Sequence, residues 1–77
     1  MAKHVNLRYA EEFARRLRAR MEELGVTPPQ LAQLSDLPVT SVYNFVYEDT
    51  HVPQADTVAK LANALNVTTD YLINFQV

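Results

Sequence analysis

Few residues in this chain could do catalytic or metal chemistry. Its only histidines, His4 and His51, are far apart in the sequence, and the chain contains no cysteine. The adjacent carboxylates Glu11 and Glu12 would point in different directions around a helix, so they do not form an acid/base dyad. The single glycine, Gly25, cannot build a glycine-rich phosphate loop. The sequence therefore predicts no catalytic residues, no metal site and no cofactor.

Recognition through hydrogen bonds and apolar contact is better supported. Uncharged polar and aromatic residues recur at helical spacing (i, i+3, i+4, i+7) on one face of a predicted helix: Thr40, Tyr43, Asn44 and Tyr47. The opposite face carries Val42, Phe45 and Val46, which we expect to point inward. Since the first face has no charged residue, which is unusual for a surface that meets only solvent, it indicates a contact surface.

The charges are unevenly distributed along the chain, whose net charge is −2. Residues 1–20 carry six basic and two acidic residues, whereas residues 21–77 carry one lysine and seven acidic residues. This asymmetry favours one basic face on an acidic body. A solvated helix surface with Arg/Glu pairs would produce the same pattern, so charge alone leaves both interpretations open.

Length and hydropathy predict one small soluble domain. A chain of 77 residues has room for a single compact core. Its longest uncharged stretch, residues 24–35, is interrupted by two prolines and is shorter than the ~20 apolar residues of a membrane span. The first residues lack the apolar segment of a signal peptide. We therefore expect a cytoplasmic protein with no membrane partner.

The first predicted helix, at about residues 9–24, has the longest apolar stripe. The stripe consists of four residues spaced by three or four: Phe13, Leu17, Met21 and Leu24. Gly25 follows directly, where a residue in the left-handed conformation commonly ends a helix. Before this helix, we expect a short extended arm around residues 5–7.

Two short helices are predicted next, on either side of a tight turn. The first begins with a capping box of Thr27 and Gln30, and its expected apolar face is Leu31, Ala32 and Leu34. It ends near Asp36, a residue type that tolerates positive φ in a turn. The second runs from about residue 38 to residue 47.

Two more helices complete the predicted fold after a loop at residues 48–53. The fourth helix starts near Gln54 and stops near Asn66 in a left-handed conformation, and Thr68 caps a short fifth helix. The sequence thus predicts an all-α, compact five-helix domain at residues 9–73, an N-terminal arm at 1–8 and a C-terminal tail at 74–77.

The segment 27–47 is a helix-turn-helix by its pattern. The chain resembles the phage repressor and Cro-type helix-turn-helix domains (the XRE family) over about residues 11–73. The matching residues are Leu31-Ala32, Val42, Phe45, the passage Pro53-Gln54-Ala55-Asp56-Thr57-Val58, and Leu61-Ala62-Asn63-Ala64-Leu65-Asn66-Val67-Thr68 followed by Asp70-Tyr71-Leu72.

This resemblance implies a repressor-like DNA-binding domain with the helix at residues 38–47 in the major groove. The implied base-contacting residues are Val39, Thr40, Tyr43 and Asn44. The residues expected to contact phosphate are Arg16, Arg18, Arg20, Ser41 and Tyr47. A carboxamide such as that of Asn44 can pair with adenine through two hydrogen bonds, and this face has no arginine or glutamine for guanine. We therefore expect a preference for A·T pairs.

The sequence departs from the family pattern at several positions. Family members often have an arginine and a glutamate at the positions of Met21 and Val46, and we expect these two apolar residues to be core. Pro28 stands where a phosphate-contacting glutamine is usual, and the loop from Glu48 to His51 is acidic. Phosphate affinity should then come mainly from the N-terminal segment.

The implied function is sequence-specific binding to double-stranded DNA by a bacterial or phage-encoded repressor that occupies an operator. We expect a homodimer on an inverted repeat, with Ile73, Phe75 and Val77 at the dimer interface, and no small-molecule ligand. An alternative remains open. The domain could instead be a protein-interaction module, such as an antirepressor, antitoxin partner or co-regulator, with little DNA binding.

Overall fold

The computed structural model describes the backbone of residues 2–48 and 53–73, and the side chains of residues 9–48 and 53–73. These residues form five α-helices and no strand, which confirms the predicted all-α fold. The helices are α1 (Ala2–Leu24), α2 (Pro28–Ser35), α3 (Val39–Tyr47), α4 (Ala55–Ala64) and α5 (Thr69–Ile73). α1 packs against α3 and α5, α2 packs against α3 and α4, and α4 packs against α5.

α1 begins earlier than the sequence pattern predicts. The extended arm expected around residues 5–7 is wrong, because the backbone is helical from Ala2 onward. No glycine or proline interrupts residues 2–24, and each residue added to an existing helix gains a hydrogen bond without a new nucleation cost. The expected arm rested on the alternation of apolar and polar residues in Val5-Asn6-Leu7, which is too short to outweigh this continuity. The functional division into arm, domain and tail stays a prediction.

Three of the connections between helices use the same local structure. Gly25, Asp36 and Asn66 have φ values of 68°, 59° and 58°, which confirms the left-handed conformation predicted at each. The next residue in each case donates its backbone N–H to a carbonyl five residues earlier, at 2.9–3.0 Å. These three following residues, Val26, Leu37 and Val67, are apolar and pack partly buried against the core. Each turn therefore fixes the direction of the next helix through both a hydrogen bond and a core contact.

The caps predicted at the starts of α2 and α5 are also confirmed. The Thr27 hydroxyl accepts from the backbone N–H of Gln30 at 3.4 Å, and the Gln30 side chain accepts from the N–H of Thr27 at 2.9 Å. The Thr68 hydroxyl accepts from the N–H of Tyr71 at 3.2 Å. All three bonds satisfy backbone donors at the start of a helix, where no intrahelical partner is available.

One contiguous core joins all five helices. Its largest fully buried side chains are Phe13, Leu17, Leu31, Val42, Val46, Leu61, Leu65 and Leu72. Met21 is 5% exposed and Val46 is 2% exposed, so both belong to the core as predicted. Thus the two apolar residues that stand in place of the family's charged pair are buried, not at the surface.

The predicted burial of two residues is wrong. Leu34 is 60% exposed and Leu24 is 44% exposed. The buried face of α2 is formed by Leu31, Ala32 and Ser35, and the Ser35 hydroxyl donates to the Leu31 carbonyl at 2.6 Å, so a small polar residue occupies a core position. Leu34 lies beside that face, not on it. Leu24 is the last residue of α1, where the chain turns at Gly25.

Replacing Gly25 by alanine should destabilise the fold by about 1–2 kcal/mol, the cost of a Cβ in the left-handed region. A Cβ added at this position meets nothing within 4 Å, so backbone strain alone should set the loss. Gly25→Asn should lose less, because asparagine tolerates this conformation. Urea unfolding of the three proteins measures the difference. Equal stability of the glycine and alanine proteins would contradict the assignment.

Candidate nucleic-acid interface

α2, the turn at residues 36–38 and α3 form a helix-turn-helix. α2 is held at its start by the capping box and at its end by Asp36, whose N–H donates to carbonyls of Ala32 and Gln33. Leu37 then donates to Ala32 at 3.0 Å and packs against the core. Pro38 precedes α3 in an extended conformation. This series of local bonds sets the angle at which α3 leaves α2 and the face that it presents.

α3 separates into the two faces that its sequence predicts. Val42 and Val46 are buried, and Phe45 packs partly buried against the core. The predicted base-contacting residues lie on the other side: Val39, Thr40 and Tyr43 are exposed and Asn44 is partly exposed. Of the phosphate candidates on this helix, Tyr47 is exposed and Ser41 is partly exposed. The structure therefore brings all six α3 candidates onto accessible surface.

Tyr43 and Tyr47 form a stacked pair on this face. Their ring centroids are 5.8 Å apart, with an angle of 22° between the ring planes. Tyr43 is 41% exposed and Tyr47 is 60% exposed, so the pair lies at the surface instead of filling the core. Stacking restricts both side chains before any partner is bound, which lowers the entropy lost on binding. The spacing i, i+4 could have predicted this contact.

The three arginines expected to contact phosphate have a different set of partners within the fold. Each donates to a backbone carbonyl at the end of another helix. Arg16 bonds Tyr71 at 2.9 Å, Arg18 bonds Val46 at 2.6 Å and Arg20 bonds Leu65 at 3.0 Å. The structure thus distributes the three guanidinium groups over α5, α3 and the end of α4. It does not bring them together at one phosphate-sized site, and their role toward DNA stays a prediction.

Sequence reasoning missed this use of the arginines, although a signal was present. α3, α4 and α5 have no basic residue in their own last turns, where cations usually interact with unpaired carbonyls. The role of Tyr9 was also missed. Its hydroxyl donates to the carbonyl of Ile73, the last residue of α5, at 2.6 Å. In the described fold, α1 supplies donors for these helix ends.

Arg/Glu pairs occupy the outer surface of α1. Glu12 accepts from Arg15 and, at 2.9 Å, from Arg16, and Arg20 pairs with Glu23 at 3.1 Å. The hydrogen bond from Arg16, followed by that from Arg15, lowers the pKa of Glu12. Arg15 and Glu23 are exposed, whereas Glu12, Arg16 and Arg20 are partly buried, and pairs of this kind contribute modestly to stability. The interpretation of a solvated helix with Arg/Glu pairs is therefore correct for part of this basic segment.

The remaining predicted site residues, those of the expected dimer interface, lie near the carboxyl end of the chain. Ile73 packs partly buried against the core, whereas Phe75 and Val77 lie outside the described residues, as do Asp49 and His51. Glu48 is exposed at the end of α3. Among the residues whose side chains are described, no group of three or more His, Cys, Asp or Glu is placed to hold a metal ion. No helix in the described ranges is both long and apolar enough to cross a bilayer.

The described residues form a helix-turn-helix whose second helix has an exposed, uncharged face, and comparison with known families assigns the chain to the same class of domain. The model of the helix-turn-helix domain family matches residues 12–72, most of the chain. The chain belongs to this family, which comprises XRE-like DNA-binding domains and is typically non-enzymatic. Comparisons with curated proteins and with solved structures gave no match.

The stability of the domain should depend on Glu12 in a pH-dependent way. A lowered pKa in the folded state means that ionised Glu12 favours folding. That contribution is present above the ordinary pKa of glutamate and is lost as the pH falls through the lowered value. Glu12→Gln should therefore lower the melting temperature at neutral pH, and its difference from the wild type should shrink as the pH falls through the lowered pKa of Glu12. Glu11→Gln, at an exposed position on the same helix, is the control. A difference that is independent of pH would contradict this assignment.

Proposed function

We propose that this protein is a transcriptional regulator that binds specific sequences in double-stranded DNA and represses by occupying an operator. The observation that supports this best is the α3 surface, where Asn44 lies among exposed, uncharged side chains on a helix-turn-helix. A surface without carboxylates can approach the major groove, since it adds no repulsion between base edges and protein. Such a regulator would act in the cytoplasm of a bacterium, encoded by the cell or by a phage.

The proposed base contacts come from one side of α3. Asn44 supplies a paired donor and acceptor for adenine, Thr40 supplies a hydroxyl and a methyl group, and Val39 supplies apolar contact to thymine methyls. Tyr43, which stacks on Tyr47, offers a hydroxyl that can donate or accept a hydrogen bond. This set favours A·T pairs at the centre of each half-site.

The proposed phosphate contacts flank these residues. Ser41 and Tyr47 offer hydroxyls near either end of the α3 surface. Arg16, Arg18 and Arg20 are engaged with carbonyls inside the fold, so any phosphate contact by them would have to use further donors of the same guanidinium groups. Since each arginine has five donors, both uses are chemically compatible.

A protein-interaction module is the second candidate, and the Tyr43–Tyr47 stack is the observation that favours it. Exposed, preordered aromatic residues are common at the energetic centres of protein interfaces. The two candidates differ in their dependence on salt and on Asn44. A DNA-binding surface loses affinity as salt rises and loses sequence preference without Asn44, whereas a protein adapter should be far less sensitive to both changes.

Selection from a randomised duplex pool, at low and at physiological salt, tests the DNA-binding proposal. We expect enrichment of an A·T-biased inverted repeat. Asn44→Ala should weaken discrimination at one position per half-site by about 1–3 kcal/mol, the usual worth of a paired amide contact. Asn63→Ala, at an exposed position on α4, should leave the enriched sequence unchanged. No retention of DNA at low salt would reject this proposal and favour the protein-interaction module.

The proposed homodimer is tested by sedimentation of the full chain and of a chain ending at Ile73. Domains that bind the major groove commonly bind as dimers, with one domain on each of two half-sites about one helical turn apart. If Phe75 and Val77 complete an interface that begins at Ile73, the full chain should sediment as a dimer at tens of micromolar and the shortened chain as a monomer. A monomer in both cases would remove these residues from a dimer interface.

A further inference from the structure

The end of α3 differs from the ends of the neighbouring helices. α1 and α2 end at Gly25 and Asp36, and the chain after α4 turns at Asn66, all three in the left-handed conformation. α3 ends at Glu48 in an extended conformation, with a φ of −107°. Its last turn also has no basic residue. Thus the local sequence of α3 supplies neither of the two common ways to close a helix at its carboxyl end.

Arg18 of α1 donates to this end of α3. Its Nη1 lies 2.6 Å from the carbonyl oxygen of Val46, and Val46 precedes the last residue of α3. Carbonyls in the last four positions of a helix have no intrahelical partner. A charged donor makes a stronger hydrogen bond to such a group than a neutral one. Because the Val46 side chain is also buried, at 2% exposed, this residue is held on both its main chain and its side chain.

The position of this bond connects it to the proposed DNA-binding face. The residue after Val46 is Tyr47, which stacks on Tyr43, and Glu48 donates its N–H to the carbonyl of Asn44 at 3.0 Å. A shift or fraying of the last turn would therefore move the aromatic pair and release the Asn44 carbonyl together.

We propose that Arg18 is a positioning residue for α3: it fixes the last turn of this helix and thereby determines sequence preference without contacting DNA. The part concerning sequence preference rests on the proposed function of α3. This role replaces the phosphate contact expected for Arg18 and makes a different prediction for salt dependence.

Arg15 provides a matched control. It lies three residues before Arg18 on α1, and both side chains line the open groove between α1, the start of α2 and the end of α3. Arg15, however, pairs with the Glu12 carboxylate, a partner within its own helix. Arg15→Ala and Arg18→Ala therefore remove the same charge from the same groove. Arg18→Lys retains the charge and a donor, and serves as the conservative variant should the alanine variant fold poorly.

Amide hydrogen exchange in the free protein is the first measurement. Arg18→Ala should exchange faster than the wild type at Val46, Tyr47 and Glu48, whereas Arg15→Ala should not, and Arg18→Lys should lie between. Exchange in α4 and α5 serves as an internal reference for global opening. Equal exchange at the end of α3 in the wild type and in Arg18→Ala would overturn the proposal, whatever the DNA measurements show.

Binding to the selected operator and to unrelated DNA, across a salt series, is the second measurement. A positioning role predicts that Arg18→Ala lowers the ratio of specific to non-specific affinity by roughly three- to tenfold, as residues that act without touching a ligand commonly do. The salt slope should stay unchanged. A slope reduced by about 0.9, with equal losses on both DNAs, would instead assign Arg18 to a phosphate and overturn the proposal.

The two measurements keep this inference distinguishable from the proposed function. If the wild type binds no DNA, the proposed function fails and the claim about sequence preference fails with it. Hydrogen exchange then still decides whether Arg18 holds the end of α3. If the wild type binds an operator and the specificity ratio does not change in Arg18→Ala, the positioning role is rejected while the proposed function stands.

Discussion

The described fold depends on donors that one long helix supplies to the ends of three shorter ones. The last carbonyls of a helix have no partner within it, and α3, α4 and α5 carry no basic residue in their last turns. From α1, Arg18 reaches the end of α3, Arg20 reaches the end of α4, and Arg16 and Tyr9 reach α5. Since these bonds span 28 to 64 residues of sequence, they link elements that local structure alone would leave independent.

These bonds give the basic residues of α1 a structural role. The cluster of arginines between residues 15 and 20 indicates a surface that binds a polyanion. Three of these arginines, however, donate hydrogen bonds to carbonyls within the fold. The chain as a whole carries a net charge of −2. If α3 binds DNA as proposed, affinity depends on the fit of the α3 face as well as on a general attraction to phosphate.

The features that the sequence predicted well are those decided by neighbouring residues. The capping box of Thr27 and Gln30 and the left-handed residues depend on interactions within a few positions, and the two faces of α3 follow from the spacing of its apolar and polar residues. Leu34 was misplaced because the packing of α2 against other helices, and not its periodicity, decides which side is buried. The arginine partners were missed for a related reason. A guanidinium group can reach many acceptors, and only the tertiary structure brings the Val46 carbonyl within 2.6 Å of Arg18.

The contact between α1 and α3 is kept although the charged pair common in related domains is absent from it. Met21 and Val46 occupy positions where related domains often have a charged pair, and here both side chains are buried and apolar. Such a replacement preserves packing but removes a directional bond, since apolar contact allows a helix to slide or rotate more easily than a hydrogen bond does. Arg18, one turn before Met21 on α1, restores direction through the main chain of Val46. Thus Met21 supplies packing against α3, and Arg18 of the same helix fixes the orientation of α3. A substitution of Met21 should therefore affect packing more than orientation, and a substitution of Arg18 should affect orientation more than packing.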